Sequence, residues 1–79
     1  VVVHGGSWRF GDKGDATHVS RSLAADGITV FDLRYRLAPT HPFPAAVADV
    51  KCAVGRIREA AAELRVDPAR AALLGRSAG

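Results

Sequence analysis

The 79-residue sequence has no methionine and only one cysteine, Cys52. A lone thiol excludes a disulfide framework and offers no cysteine pair for a metal site, so no metal is expected. It fits a reducing compartment such as the cytoplasm. The chain starts at Val1 and lacks a translation start, so it is expected to be a piece of a longer protein. Long apolar runs are missing too. Nothing approaches the ~18 residues of a transmembrane helix. The opening Val1–Val3 run, with no basic segment before it, is too short for a signal-peptide core. Blocks of one charge sign are absent. Eleven Lys and Arg stand against eight Asp and Glu, but Arg56, Arg58, Arg65 and Arg70 are interleaved with Glu59, Glu63 and Asp67. That pattern reads as solvated surface, so no nucleic-acid partner is expected. There is no internal repeat or low-complexity stretch.

What is present is enough for one small domain, with the 48% hydrophobic and 24% charged residues of an ordinary globular chain. Val1–Val3 reads as the end of a buried strand that runs into turn glycines at Gly5 and Gly6. Gly11–Asp15 is a polar loop. Residues 16–25 have helical spacing through Val19 and Leu23, with Asp15 as N-cap and Gly27 closing the C-terminus. Residues 28–33, "ITVFDL", form a second strand. Pro39, Pro42 and Pro44 keep residues 34–44 out of regular helix. Residues 45–64 carry one apolar stripe through Val47, Val50, Val54, Ile57, Ala61 and Leu64, which predicts a long helix over these residues, with Asp67 and Pro68 as the stop beyond it. Gly55 weakens its middle by roughly 1 kcal/mol relative to alanine. Residues 71–74 are a third strand.

Strand, helix, strand, helix, strand predicts an α/β fold: three parallel strands with two right-handed crossover helices. If the first strand lies between the others, the helices fall on opposite faces. A crevice then opens at the C-terminal ends of the first and third strands. Those ends carry the two unusual stretches, "HGGSW" (His4–Trp8) and "GRSAG" (Gly75–Gly79).

A serine between closely spaced glycines on a strand-to-helix turn can be held out above the sheet edge as a nucleophile. Ser77 has that setting, with Gly75, Arg76 and Gly79 forming the turn around it. An ordinary turn is the competing reading of the pentapeptide alone. Acyl transfer also needs amide donors for the developing oxyanion, each worth roughly 2.7–4 kcal/mol. The glycines of "HGGSW" let a backbone approach that closely, with Gly6 and Ser7 as donors and Ala78 as a third. His4 and Gly5 are read as shaping this loop, His4 through hydrogen bonds rather than as the catalytic base. Trp8 is read as packing. His18 is assigned to the helix surface, and His41 to bracing the proline-rich loop.

Three stretches together resemble the α/β-hydrolases of the hormone-sensitive-lipase and related carboxylesterase group. "HGGSWRFGDK" is similar to that family's oxyanion loop, "YRLAPTHPFPAAVADVK" to its second βα connection and "GRSAG" to its nucleophile elbow. The resemblance covers essentially the whole chain. It implies an α/β-hydrolase fold with the first strand central. It also implies a cofactor-free serine hydrolase of small carboxylic esters, often of short acyl chains. Ser77 would be the nucleophile, and Gly6, Ser7 and Ala78 would line the oxyanion hole. Three positions depart from the family pattern. Arg34 stands where Asp usually precedes the tyrosine, Thr40 replaces a Glu, and Arg56 takes the place of a common tryptophan. In such enzymes the chain order is Ser, then Asp or Glu, then His. Residues 1–79 are therefore expected to be the N-terminal part of a single catalytic domain, inactive alone, with the catalytic Asp and His beyond Gly79. A serine amidase or peptidase, or a non-catalytic ligand-binding module, are the alternatives on the same fold.

Overall fold

Two β-branched residues anchor the architecture. In the computed structural model, which describes all 79 residues, Val2 and Val3 are buried and form β1 (Val2–Val3). It is flanked by β2 (Asp32–Leu33) and β3 (Leu74–Gly75) in a parallel sheet of order β2-β1-β3. Val2 stands opposite Asp32 and Leu74, and Val3 opposite Leu33 and Gly75. A central parallel strand is covered on both faces, which favours an unbroken valine pair over an alternating pattern. The expected central position of the first strand is thus observed.

The crossovers are α1 (Thr17–Ala25) and α2 (Ala45–Glu59), the latter continued by α3 (Ala61–Leu64). Leu73 shares a cavity with Ala46, Val47 and Val50 of α2, whereas Leu74 shares one with Val19 of α1. Successive strand side chains point to opposite faces, so the helices cover opposite faces of the sheet.

Several boundaries differ from expectation. Asp15 does not cap α1. The N-cap is Ala16 with no side-chain bond, and the Asp15 carboxylate instead accepts the Asp12 amide at 2.8 Å within the loop. The other end is as predicted: Gly27 sits at φ +84°, its amide bonds to Ala24 O, and the Ile28 amide reaches Leu23 O. These paired bonds make a Schellman close. The second strand spans two residues rather than 28–33, and the third lies at Leu74–Gly75 rather than 71–74. Both are limited by the two-residue partner between them. The long helix is interrupted at Ala60 (φ −92°, ψ 11°), a break that nothing in the local sequence marks. Its last residue is Leu64, as expected, and the stop is made at Arg65, before Asp67 and Pro68 are reached. Arg65 adopts a left-handed conformation (φ 57°), with the Arg65 amide on Ala62 O and the Val66 amide on Ala61 O. The apolar stripe of the helix is largely uncovered. Only Ala61 is buried, because the face opposite α2 offers little beyond the β1–β3 strip.

Residues 34–44 are irregular, as the prolines require. This segment is fastened to α2 by Arg36, whose main-chain amide donates to Asp49 at 2.8 Å while its guanidinium pairs with the same carboxylate at 2.9 Å.

Candidate active site

The loop after β1 turns through three consecutive residues with positive φ: Gly6 (127°), Ser7 (53°) and Trp8 (61°). L-residues rarely adopt this region. Gly6 O holds the turn by accepting the Arg9 and Phe10 amides at 3.0 and 2.9 Å. A Cβ on Gly6 would collide with the Phe10 main chain, so the position admits only glycine.

The turn after β3 is as tight. Ser77 is held at φ +54°, and the Gly79 amide closes the turn on Arg76 O at 2.9 Å. Each flanking glycine faces backbone: a Cβ on Gly75 would strike Gly79, and one on Gly79 would strike Val3 O. A non-glycine residue in a sparsely populated backbone region persists only where its surroundings enforce it.

The two turns meet. A Cβ on Gly5 would lie 2.8 Å from Arg76 O and 3.0 Å from the Ser77 Cβ. The Arg76 amide bonds to Val3 O at 3.3 Å, joining the elbow to the end of β1. The amides of Gly6, Ser7 and Ala78 donate to no acceptor within the chain. Ser77 is exposed. An apolar cavity of about 270 Å³ opens beside them, with Trp8, Tyr35, Val50, Leu73 and Ala78 in its lining. The residues of "HGGSW" and "GRSAG" are thus brought together at the ends of β1 and β3.

His4 is buried. Its Nδ1 lies 2.7 Å from Gly5 O, which can only accept, so Nδ1 carries the proton. Its carbonyl accepts the Tyr35 hydroxyl at 2.6 Å. The role of loop support fits this geometry. Trp8 departs from its expected role as a packed residue: it is 59% exposed, at the edge of the cavity. His18 is exposed on α1 as expected. The expected brace at His41 is made by its main chain, which bonds to Leu37 O at 2.9 Å.

Residues 1–79, the whole chain, match the BD-FAE family model. The chain belongs to the BD-FAE family. This family is α/β-hydrolase-like, in agreement with the parallel sheet and its crossovers. The chain is 43% identical to carboxylesterase NlhH of Mycobacterium tuberculosis, over all of this chain and 25% of that protein. It is 40% identical to an arylesterase of Saccharolobus solfataricus, over 96% of this chain and 25% of that protein. It is 40% identical to an acetyl-hydrolase of Streptomyces hygroscopicus, over 100% and 25% respectively. The chain thus spans about a quarter of the length of these curated relatives.

Two supports of this BD-FAE site escape a reading of the sequence. Tyr35 is buried and stacks on His4, with ring centroids 4.3 Å apart and planes 11° apart. Burial pushes its phenol above the usual range. In the sequence it is marked only as the tyrosine that opens the family-like stretch "YRLAP", between two arginines just after a strand, and nothing there signals its contact with His4. The second support is the Asp12–Arg34 pair. Arg34, at a position where the resemblance led one to expect Asp, makes a bidentate contact with Asp12 at 2.7 and 2.9 Å. Hydrogen bonds from Arg34 and from the Lys13 amide hold the Asp12 carboxyl below the usual range. The substitution thereby ties the far end of the oxyanion loop to the exit of β2.

Proposed function

We propose that Ser77 is the nucleophile of a carboxylic ester hydrolase, and that the Gly6, Ser7 and Ala78 amides form its oxyanion hole. The observation that carries this reading is one juxtaposition. A serine held at positive φ on a turn after a parallel strand lies against Gly5, beside three amides that no group in the chain uses. Gly6 and Ala78 are half-buried and Ser7 is exposed, so these amides are open to an incoming oxygen, and donors kept free beside a nucleophile can meet a charge that forms only during reaction. The relatives named as esterases support the same class of reaction.

In this mechanism Ser77 Oγ attacks the ester carbonyl carbon as a general base takes its proton. The carbonyl oxygen gains negative charge opposite the three amides. Collapse of the tetrahedral species breaks the C–O bond, and the base returns the proton to the departing alcohol. Water then attacks the acyl-Ser77 ester by the same route, releasing the acid and restoring the serine. None of the three histidines is placed to be that base. His4 has Nδ1 on Gly5 O and its other nitrogen, Nε2, is buried with no hydrogen-bond partner, so it makes no bond to Ser77 Oγ; His18 lies on α1 and His41 in the proline-rich segment. The base and its orienting carboxylate are therefore assigned to sequence outside residues 1–79. The 79-residue chain alone is inactive, as the N-terminal part of one catalytic domain. The substrate is a small ester, with a short acyl group as the resemblance implies.

The test is fluorophosphonate labelling of the full-length protein that carries this chain, with the modified peptide located by mass spectrometry. The expected result is a single adduct on Ser77 that blocks turnover of a p-nitrophenyl short-acyl ester. An adduct elsewhere, or none on folded protein, overturns the assignment. Turnover by the 79-residue chain that Ser77→Ala abolishes would refute the claim that it is inactive alone.

A further inference from the structure

We infer that Tyr35 and His4 act together as positioning residues that aim the Gly6 amide at the oxyanion. The inference rests on the function proposed above and extends it to two residues that are neither the nucleophile nor oxyanion donors.

The argument follows the peptide planes. A trans peptide is planar, with its C=O and N–H pointing in opposite directions. Whatever holds a carbonyl therefore aims the amide of the next residue. The Gly5–Gly6 unit carries Gly5 O at one end and the Gly6 amide at the other. Gly5 O accepts the His4 Nδ1–H at 2.7 Å, so the Gly6 amide is turned the opposite way. The unit before it, His4–Gly5, is fixed by the Tyr35 hydroxyl on His4 O at 2.6 Å. The unit after it, Gly6–Ser7, is fixed by the Arg9 and Phe10 amides on Gly6 O. Glycine has the widest choice of backbone angles, so Gly5 and Gly6 do not orient these planes unaided.

The imidazole is itself held. Its ring lies flat on Tyr35, and both residues are buried. Gly11 closes over the bond from the other side: a Cβ there would stand 2.5 Å from His4 Nδ1 and 2.7 Å from Gly5 O. His4 Nε2 is buried without a partner. The ring thus makes one hydrogen bond, and that bond orients a proposed catalytic amide.

The test uses the full-length enzyme. Tyr35→Phe keeps the ring and removes only the hydroxyl. Its kcat should fall roughly tenfold with KM unchanged, because an aimed amide acts on the transition state. This loss is smaller than the ~10²–10³ of removing an oxyanion donor outright, since the donor is displaced rather than deleted. His4→Asn places an amide N–H near the position of Nδ1, and His4→Gln places it near Nε2. The Asn variant should retain several-fold more kcat than the Gln variant, a distinction that mere filling of space would not produce. Wild-type kcat in Tyr35→Phe, a rise in KM alone, or equal kcat in the two His4 variants each overturns the inference while fluorophosphonate still labels Ser77. Should Tyr35→Phe not fold, the two His4 variants decide. Absence of the Ser77 adduct in the wild type overturns the proposed function, and this inference with it.

Discussion

The Tyr35 hydroxyl donates to the His4 main-chain carbonyl at 2.6 Å while its ring stacks on the His4 imidazole, so one side chain holds both the backbone and the ring of its partner. Burial of the phenol disfavours its ionised form and raises its pKa above the usual 10.0. A raised pKa means that the folded state holds the proton more tightly than the unfolded one. The stabilisation is complete below pH 10.0 and is lost as pH rises through the folded value. Subtracting the alkaline absorbance titration of Tyr35→Phe from that of the wild type should isolate a phenolate forming above pH 10.0, which returns to the usual value in denaturant. A difference curve centred at or below 10.0 would show that the phenol is not buried in this way.

Glycines in this chain have opposite reasons to be glycine, and alanine substitution should separate them. A Cβ at Gly79 meets Val3 O, a backbone atom that cannot swing aside. Gly79→Ala should cost on the order of 1–3 kcal/mol or more, as overpacked sites do, and should lower kcat by shifting the elbow. Gly55 lies within α2 with nothing within 4 Å of a built Cβ. Gly55→Ala should stabilise by about 0.5–1 kcal/mol through helix propensity and leave kcat unchanged. Denaturant melts of the full-length variants, read beside their kinetics, check both signs.

The same contrast explains which features the sequence revealed. The "GRSAG" and "HGGSW" turns were legible because their backbones tolerate few residue types, and the glycines mark where those backbones touch. The position of β1 between the other strands was not fixed by the strand-helix pattern, which allows other orders; only the resemblance to the hydrolase family implied the order that is observed. Tyr35 was not legible, because its role comes from a partner 31 residues away that no periodicity records. Asp15 has the residue type of an N-cap, but the Asp12 amide captured its carboxylate first. The break at Ala60 falls in an alanine run without glycine or proline, where propensity alone favours a continuous helix.

Two carboxylates should titrate below their usual value of 3.8. Hydrogen bonds from Arg34 and the Lys13 amide lower Asp12, and the Arg36 side chain and amide lower Asp49. A lowered pKa contributes stability that is present above pH 3.8 and lost as pH falls through the folded value. The Arg34–Asp12 pair is largely exposed, so salt should screen it. Carboxyl-carbon NMR titration of the full-length protein should place both groups below 3.8, with Arg34→Gln returning Asp12 toward that value and leaving Asp49 in place. Movement of both groups in Arg34→Gln would contradict separate pairing.

The last prediction concerns the 79-residue chain by itself. Only five of its 79 residues are buried, and no side chain is fully enclosed. Large apolar groups stand in solvent, among them Phe43 at 85% exposure, and no residue of α1 or α2 is buried. Both outer edges of the three-stranded sheet are unpaired, which leaves rows of free amides and carbonyls as templates for association. Backbone ordering costs about 1–2 kcal/mol per residue, and so little burial cannot offset that over the whole chain. Isolated residues 1–79 should therefore bind a hydrophobic dye, unfold over a broad range and sediment as mixed oligomers. A monomer with a narrow, cooperative melt would show that β1 and its two helices form a sufficient core. In that case the site geometry could be studied in the short chain directly.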